Sequence, residues 1–221
     1  MMKKIGIIAA ALTVALTTVP VQAKVTADEA AKLGTELTPL GGEKAGNADG
    51  SIPAWTGGIT SAPAGYSAGD FHPDPYAGEK PEFVITAANY QQYADQLSEG
   101  LKKMFETYPD TFKLPVYKTH RSASNPQFVY DATKENATRA TLLDDGNGMA
   151  GAAVGIPFPI PANGLEAIWN HIARYRGPAV QRNGGQAAVT AGGDYNVIGF
   201  DEQLLIQYSQ ENATPESLLE N

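Results

Sequence analysis

Three histidines, His72, His120 and His171, are the side chains best suited to acid–base or metal chemistry near neutral pH. None has another histidine three or four residues away, and the sequence contains no cysteine, so local spacing sets up no pair of metal ligands. Asp70 and Asp74 flank His72, but prolines follow both His72 and Asp74, which is typical of a turn. The sequence therefore predicts no metal site and no cofactor.

His171 has the most chemistry around it, because Glu166 and Arg174 lie within a turn and a half on the same predicted helix. A carboxylate, an imidazole and a guanidinium could hold a carboxylate ligand or act in acid–base catalysis. They could equally make ordinary hydrogen bonds to neighbouring strands, which is the interpretation we favour. The sequence has no nucleophile elbow, phosphate-binding loop or dinucleotide fingerprint. Glu166, His171 and Arg174 are thus a candidate polar site, and no residue is predicted to be catalytic.

A rigid apolar segment precedes this helix. Pro157, Pro159 and Pro161 alternate with Phe158 and Ile160. Each proline fixes its own φ and pushes the residue before it into extended geometry. The sequence therefore predicts a stiff, non-helical strap, the name we use for residues 157–161.

The helix after the strap is predicted to be amphipathic. Asn163 is a favourable N-cap, and apolar residues recur at i, i+3, i+4 and i+7 from Leu165, until Gly177 and a following proline end the helix. Trp169 lies on that apolar face, so we expect it to pack against the strap. If a ligand cavity exists, its predicted wall consists of Phe158, Ile160, Leu165, Trp169 and Ile172.

The first 23 residues have the composition of a secretory signal peptide. Two lysines precede an apolar run from Ile5 to Val19, and the small residues Val21 and Ala23 mark a cleavage site before Lys24. The run is shorter than the roughly 20 apolar residues of a membrane-spanning helix. We therefore predict export to the periplasm, without a membrane span. The formal net charge of −8 argues against nucleic acid as a partner.

Residues 24–81 are predicted to form an irregular N-terminal arm. Thr26 and Glu29 have the spacing of a capping box and predict one short helix. The rest of the arm is rich in glycine and proline and has no sustained periodicity. Trp55 and Tyr76 are among the aromatic residues expected to pin it to a surface.

Residues 82–221 are predicted to form an α+β domain. A helix from Thr86 to Tyr108 should bury Leu97, Leu101 and Phe105, which follow one another at four-residue steps. Alternating or turn-bounded segments predict antiparallel strands at 112–116, 128–130, 140–143, 149–153, 186–190, 195–200 and 203–208.

Four long and compositionally unusual blocks, residues 37–58, 79–100, 108–121 and 155–177, resemble the bacterial family known as domain of unknown function 1329 (DUF1329). The resemblance implies a fold related to the Lol-type outer-membrane lipoprotein carriers. In such a fold a curved antiparallel sheet, or half-barrel, is covered by one long and a few short helices. It also implies that this chain corresponds to an N-terminal portion of a longer protein, so that the half-barrel and the domain 82–221 would be incomplete.

This resemblance implies an exported, non-catalytic protein that binds or carries a lipid or other hydrophobic molecule in the periplasm or at the outer membrane. One alternative is a hydrolase that acts on such a molecule through Glu166, His171 and Arg174. Another is an interaction subunit of an envelope export system, with the arm as its docking surface. Envelope transport proteins would then be its partners.

Overall fold

A computed structural model of the protein describes residues 25–67 and 69–217, and the predicted signal peptide lies outside these ranges. Four α-helices occur there, α1 Ala27–Ala30, α2 Glu99–Thr107, α3 Gln127–Arg139 and α4 Gly164–Ile172. The described strands are β1 Phe83–Thr86, β2 Lys113–Val116, β3 Thr141–Leu143, β4 Gly148–Ala150, β5 Ala179–Val189 and β6 Tyr195–Leu205. Short 3-10 turns occupy Tyr90–Gln96, Asp144–Gly146 and Gln207–Ser209.

The predicted α+β class is confirmed. The described strands pair antiparallel as β1 with β2, β3 with β4 and β5 with β6. They form three two-stranded sheets, none of them closed into a barrel, where the sequence predicted one curved sheet. None of the helices in the described ranges has the length and apolar character needed to cross a membrane.

The predicted helix from Thr86 to Tyr108 is interrupted. The Asn89 side chain accepts a hydrogen bond from the Thr86 amide at 2.7 Å and donates one to the Val84 carbonyl at 3.1 Å, which fixes a turn after β1. Leu97 is extended, and Ser98 then caps a new helix, α2. The expected burial is present for Leu97 and Phe105, which pack with Ile85, whereas Leu101 is only half-buried.

The strand predicted at 128–130 is wrong, because these residues belong to α3. The side chains that α3 buries are Val129, Thr133, Asn136 and Ala137, a helical spacing that includes two polar residues. A search for apolar periodicity overlooks such a face. Asn136 is fully buried because its amide group bonds to backbone atoms of residues 153–156.

Residues 152–159, which include most of the strap, are all buried. The Tyr208 hydroxyl donates to the Gly155 carbonyl at 2.6 Å, and the Val154 amide donates to the Tyr208 carbonyl at 2.8 Å. Burial raises the pKa of the Tyr208 hydroxyl, which therefore remains a hydrogen-bond donor. α3 on one side and Tyr208 on the other thus enclose the segment that leads to α4.

The sequence predicted three short strands after residue 185. The structure has two longer strands of 11 residues each, β5, which begins at Ala179, and β6, which covers most of the second and third predicted strands. Gly184 does not interrupt β5, since it faces the Phe200 ring across the sheet, and a Cβ there would lie 3.0 Å from Phe200 Cζ. The glycine therefore makes room for a cross-strand aromatic ring instead of ending the strand.

Candidate functional site

Local capping positions the start of α4. The Asn163 side chain accepts a hydrogen bond from the Glu166 amide at 3.0 Å, which confirms the predicted N-cap. Glu166 Oε2 in turn accepts one from the Ala162 amide at 2.6 Å. The Glu166 carboxylate is therefore used to hold the junction between the strap and α4.

The inward side of α4 contains Trp169 and Asn170. The indole N–H of Trp169 donates to the Gly146 carbonyl at 2.9 Å, and the ring packs against a buried cluster that includes Phe158. The Asn170 amide group donates to the Phe158 carbonyl at 2.6 Å and accepts from the Phe158 amide at 2.8 Å. The Trp169 ring, predicted to be buried against the strap, is thus half-buried beside the cluster that contains Phe158, and the Asn170 hydrogen bonds fix the rotation of α4.

The outward side of α4 is apolar. Leu165, Ile168 and Ile172 are 48%, 49% and 51% exposed, and their i, i+3, i+7 spacing forms one continuous stripe. We call these three residues the α4 stripe. The sequence grouped them with Trp169 on one buried face. The three residues stay about half-exposed instead, because the Asn170 hydrogen bonds turn the side of the helix opposite them toward the strap.

Two of the five residues predicted as a cavity wall line the same cavity. Phe158 and Ile160 line a cavity of about 240 Å³ together with Val25, Leu142 and Glu166. Leu165, Trp169 and Ile172 are not among the residues that line it. Its volume is below the roughly 300 Å³ at which typical ligand pockets begin.

Glu166, His171 and Arg174, the predicted polar site, divide into two parts. Glu166 caps the helix, whereas Arg174 Nη1 lies 3.3 Å from His171 Nε2 and donates to the His171 carbonyl at 2.5 Å. His171 and Arg174 are exposed, and five residues along a helix place Glu166 about 140° around its axis from His171. The three side chains do not converge on one point.

A second polar group, which the sequence did not indicate, surrounds His120. His120 Nε2 lies 2.9 Å from Glu79 Oε2, and the imidazole stacks on the Tyr76 ring with their centroids 3.7 Å apart. Two clefts of about 320 and 350 Å³ adjoin it, with Trp55 in one and Tyr76 in the other. Pairing with a carboxylate orients the imidazole, an arrangement suited to proton transfer or to fastening the arm. Local spacing gave no signal, since Glu79 and His120 are 41 residues apart.

Arg121, the next residue, fastens the arm to the same loop. Its guanidinium donates to four arm carbonyls, those of Glu43, Lys44, Ala45 and Pro53, at 2.7 to 3.4 Å. The Trp55 indole N–H donates to the Ala123 carbonyl at 3.0 Å. In the described ranges, no group of three or more His, Cys, Asp or Glu residues is arranged to hold a metal ion.

Comparison with known proteins gives two matches. The family described as protein of unknown function DUF1329 matches residues 84–221. The chain is also 50% identical over 204 residues to "Uncharacterized protein PA3922" of Pseudomonas aeruginosa (strain PAO1), a match that covers 92% of this chain and 45% of that protein. The chain thus spans less than half the length of this relative. No solved structure matches the chain.

Proposed function

Because the chain belongs to the DUF1329 family, whose function is unknown, we propose from the molecule itself that it is an exported, non-catalytic protein that binds or carries a hydrophobic molecule. The guest would be a lipid or another molecule with an acyl chain, taken up in the periplasm or at the outer membrane. The predicted relation to the Lol-type carriers is part of this proposal.

The α4 stripe is the observation that supports the proposal best. The Asn170 hydrogen bonds, on the opposite side of α4, fix the rotation of the helix and leave Leu165, Ile168 and Ile172 about half-exposed. Covering such half-exposed aliphatic side chains would contribute about 1 kcal/mol each, because complete burial is worth about 1.5–3 kcal/mol. An acyl chain lying along the stripe would gain this energy without entering a closed cavity.

Export is the second part of the proposal, and it depends on residues 1–23. Material isolated from the periplasm should begin at Lys24 when its N-terminus is sequenced. Recovery of the uncut chain from inner membranes would contradict export in soluble form.

A hydrophobic fluorescent probe, displaced by lipids extracted from bacterial envelopes, tests the binding surface. Ile168→Ser should weaken probe binding several-fold, since it places a hydroxyl in the middle of the α4 stripe. The matched control is Ile52→Ser in the arm, because Ile52 is 46% exposed and Ile168 is 49% exposed. Equal effects of the two substitutions, or no probe binding by the unmodified chain, would refute the proposal.

The contacts of Glu166, His171 and Arg174 bear on the two alternative functions. A hydrolase built on Glu166, His171 and Arg174 loses support, because Glu166 caps the helix while His171 pairs with Arg174. An interaction subunit of an envelope export system would also use an exposed apolar stripe. Failure of probe binding, together with capture of an envelope transport protein that Ile168→Ser abolishes, would favour that role.

A further inference from the structure

The β5–β6 hairpin is long and has few neighbours. Its strands pair over 11 residues each, from Ala179 opposite Leu205 to Val189 opposite Tyr195. Neither strand pairs with a third strand in the described part of the chain. A two-stranded sheet is only marginally stable in water unless further strands or a helix cover it.

Large apolar side chains are exposed on both faces of this hairpin, and most of them belong to β6. The exposed fractions are 65% for Tyr195, 65% for Val197, 62% for Ile198, 48% for Leu204 and 64% for Leu205. Soluble proteins rarely leave contiguous apolar surface of this kind open unless it is an interaction site. The surface on and beside β6 is therefore suited to a covering partner.

The outer edge of β6 also offers free backbone groups. The Thr190 amide donates to the Asp194 carbonyl at 2.8 Å, and the Ile206 amide donates to the Pro178 carbonyl at 3.0 Å. Antiparallel hydrogen bonds alternate along a pair of strands, so these two bonds fix which residues point inward. The amides of Val197, Gly199 and Asp201 accordingly point away from β5. Such a row is a template for strand addition.

We propose that the outer edge of β6 receives a β-strand from the part of the longer Pseudomonas relative that the match to this chain does not cover. The Pseudomonas relative is 50% identical, yet the match covers only 45% of its length, so more than half of it is available as the covering segment. An added strand would pair with the free edge, and its side chains would cover those of β6. The proposal is independent of ligand binding at the α4 stripe.

A second copy of this chain fits the edge less well. Two β6 strands that pair antiparallel over their whole length would bring the Asp201 carboxylates of both copies close together near the centre. Like charges facing one another across strands are destabilising. A segment of different sequence avoids this repulsion.

Co-expression of this chain with the unmatched part of the Pseudomonas relative tests the proposal. With an affinity tag on this chain alone, the two polypeptides should copurify in a one-to-one complex. In that complex the amides of Val197 and Gly199 should exchange with solvent at least about tenfold more slowly than in the chain alone. Absence of a complex, or unchanged exchange in β6, would overturn the proposal.

Matched proline substitutions identify the edge. Val197 and Ala187 are opposite one another, and each directs its amide away from the other strand, so Val197→Pro and Ala187→Pro each leave the hydrogen bonds between β5 and β6 in place. We expect Val197→Pro to abolish the complex and Ala187→Pro to retain it. The reverse result, or a self-association of this chain that Val197→Pro abolishes, would contradict the choice of edge or of partner. If Val197→Pro unravels the hairpin, the amide exchange of the unmodified chain still decides the outcome.

Discussion

At the residue scale, Asn136 joins α3 to the segment before α4. Its side-chain amide donates to the carbonyls of Ala153, Gly155 and Ile156 at 2.9 to 3.2 Å, and its oxygen accepts from the Ala153 amide at 3.3 Å. The residue is 0% exposed. Because buried backbone groups need partners, one side chain here satisfies a stretch that forms no regular structure.

Asn136→Ala should therefore destabilise the protein by about 2–6 kcal/mol, since two buried backbone groups, the Ala153 amide and the Ile156 carbonyl, would lose their partner at about 1–3 kcal/mol each. Chemical denaturation followed by circular dichroism measures this loss. The control is Thr133→Val in the same helix, because Thr133 is also 0% exposed but bonds only to the Val129 carbonyl of its own helix. Equal losses from the two substitutions would mean that Asn136 contributes only as a packed side chain.

Tyr208, another single residue, should make the stability of the folded protein depend on pH. Burial raises the pKa of its hydroxyl above the ordinary value of 10.0, so the neutral form is favoured in the folded protein. Its contribution to stability is complete below the pKa of the unfolded chain and is lost as the pH rises through about 10 and beyond. As the pH rises from about 9 to about 11, the stability of the Tyr208→Phe variant should fall less than that of the unmodified protein. Parallel losses in thermal unfolding over that range would contradict this assignment.

At the scale of elements, α2 is shorter than the predicted helix, yet Leu97 and Phe105 are buried on one side, as predicted. Phe105 is 0% exposed and stacks on Tyr90, with their ring centroids 5.3 Å apart, whereas Leu101 is half-buried at the margin. The break at Leu97 and Ser98 changes the direction of the chain but keeps the apolar residues on one side. β1, β2 and α2 therefore share one small core.

Phe105→Ala should cost about 3–5 kcal/mol and Leu101→Ala about 2 kcal/mol or less, because the cost of truncation depends on how completely the side chain is buried. Urea unfolding of the two variants measures the difference. A loss for Leu101→Ala as large as that for Phe105→Ala would show that Leu101 is covered in solution.

At the scale of the whole molecule, the described residues build small apolar clusters instead of one large core. One joins α1 to α3, another joins β1, β2 and α2, and two surround α3 and residues 152–158. The arm is attached to the loop at residues 121–123, which is distant in sequence, by the hydrogen bonds of Arg121 to Glu43 and of Trp55 to Ala123. Polar contacts to backbone carbonyls therefore do much of the long-range fastening.

Arg121→Lys should release the arm, because an ammonium group cannot reproduce the forked set of hydrogen bonds that the guanidinium makes to four carbonyls. Digestion with proteinase K should then cut residues 43–53 earlier than in the unmodified protein, as mass spectrometry of the first fragments will show. Arg182→Lys on the hairpin is the control, since Arg182 pairs with the exposed Glu202 side chain instead. Identical cleavage of both variants would contradict a fastening role for Arg121.

The sequence by itself determined those features whose partners lie within a few residues. Thr26 and Glu29 form the predicted capping box, Asn163 caps α4, and the turn at 144–148 joins β3 to β4. The α+β class and membership of the DUF1329 family were also legible from the sequence. Local hydrogen bonds and turn chemistry need no knowledge of the rest of the chain.

Only the tertiary structure decided which faces are buried and which distant residues meet. Asn170 fixes the rotation of α4 and leaves the α4 stripe about half-exposed, because its partner, Phe158, is held in place by the surrounding structure. Glu79 and His120 meet across 41 residues, a pairing that no local spacing encodes. Burial is a property of the packed assembly, and a polar side chain with enough distant partners can displace an apolar one from the interior.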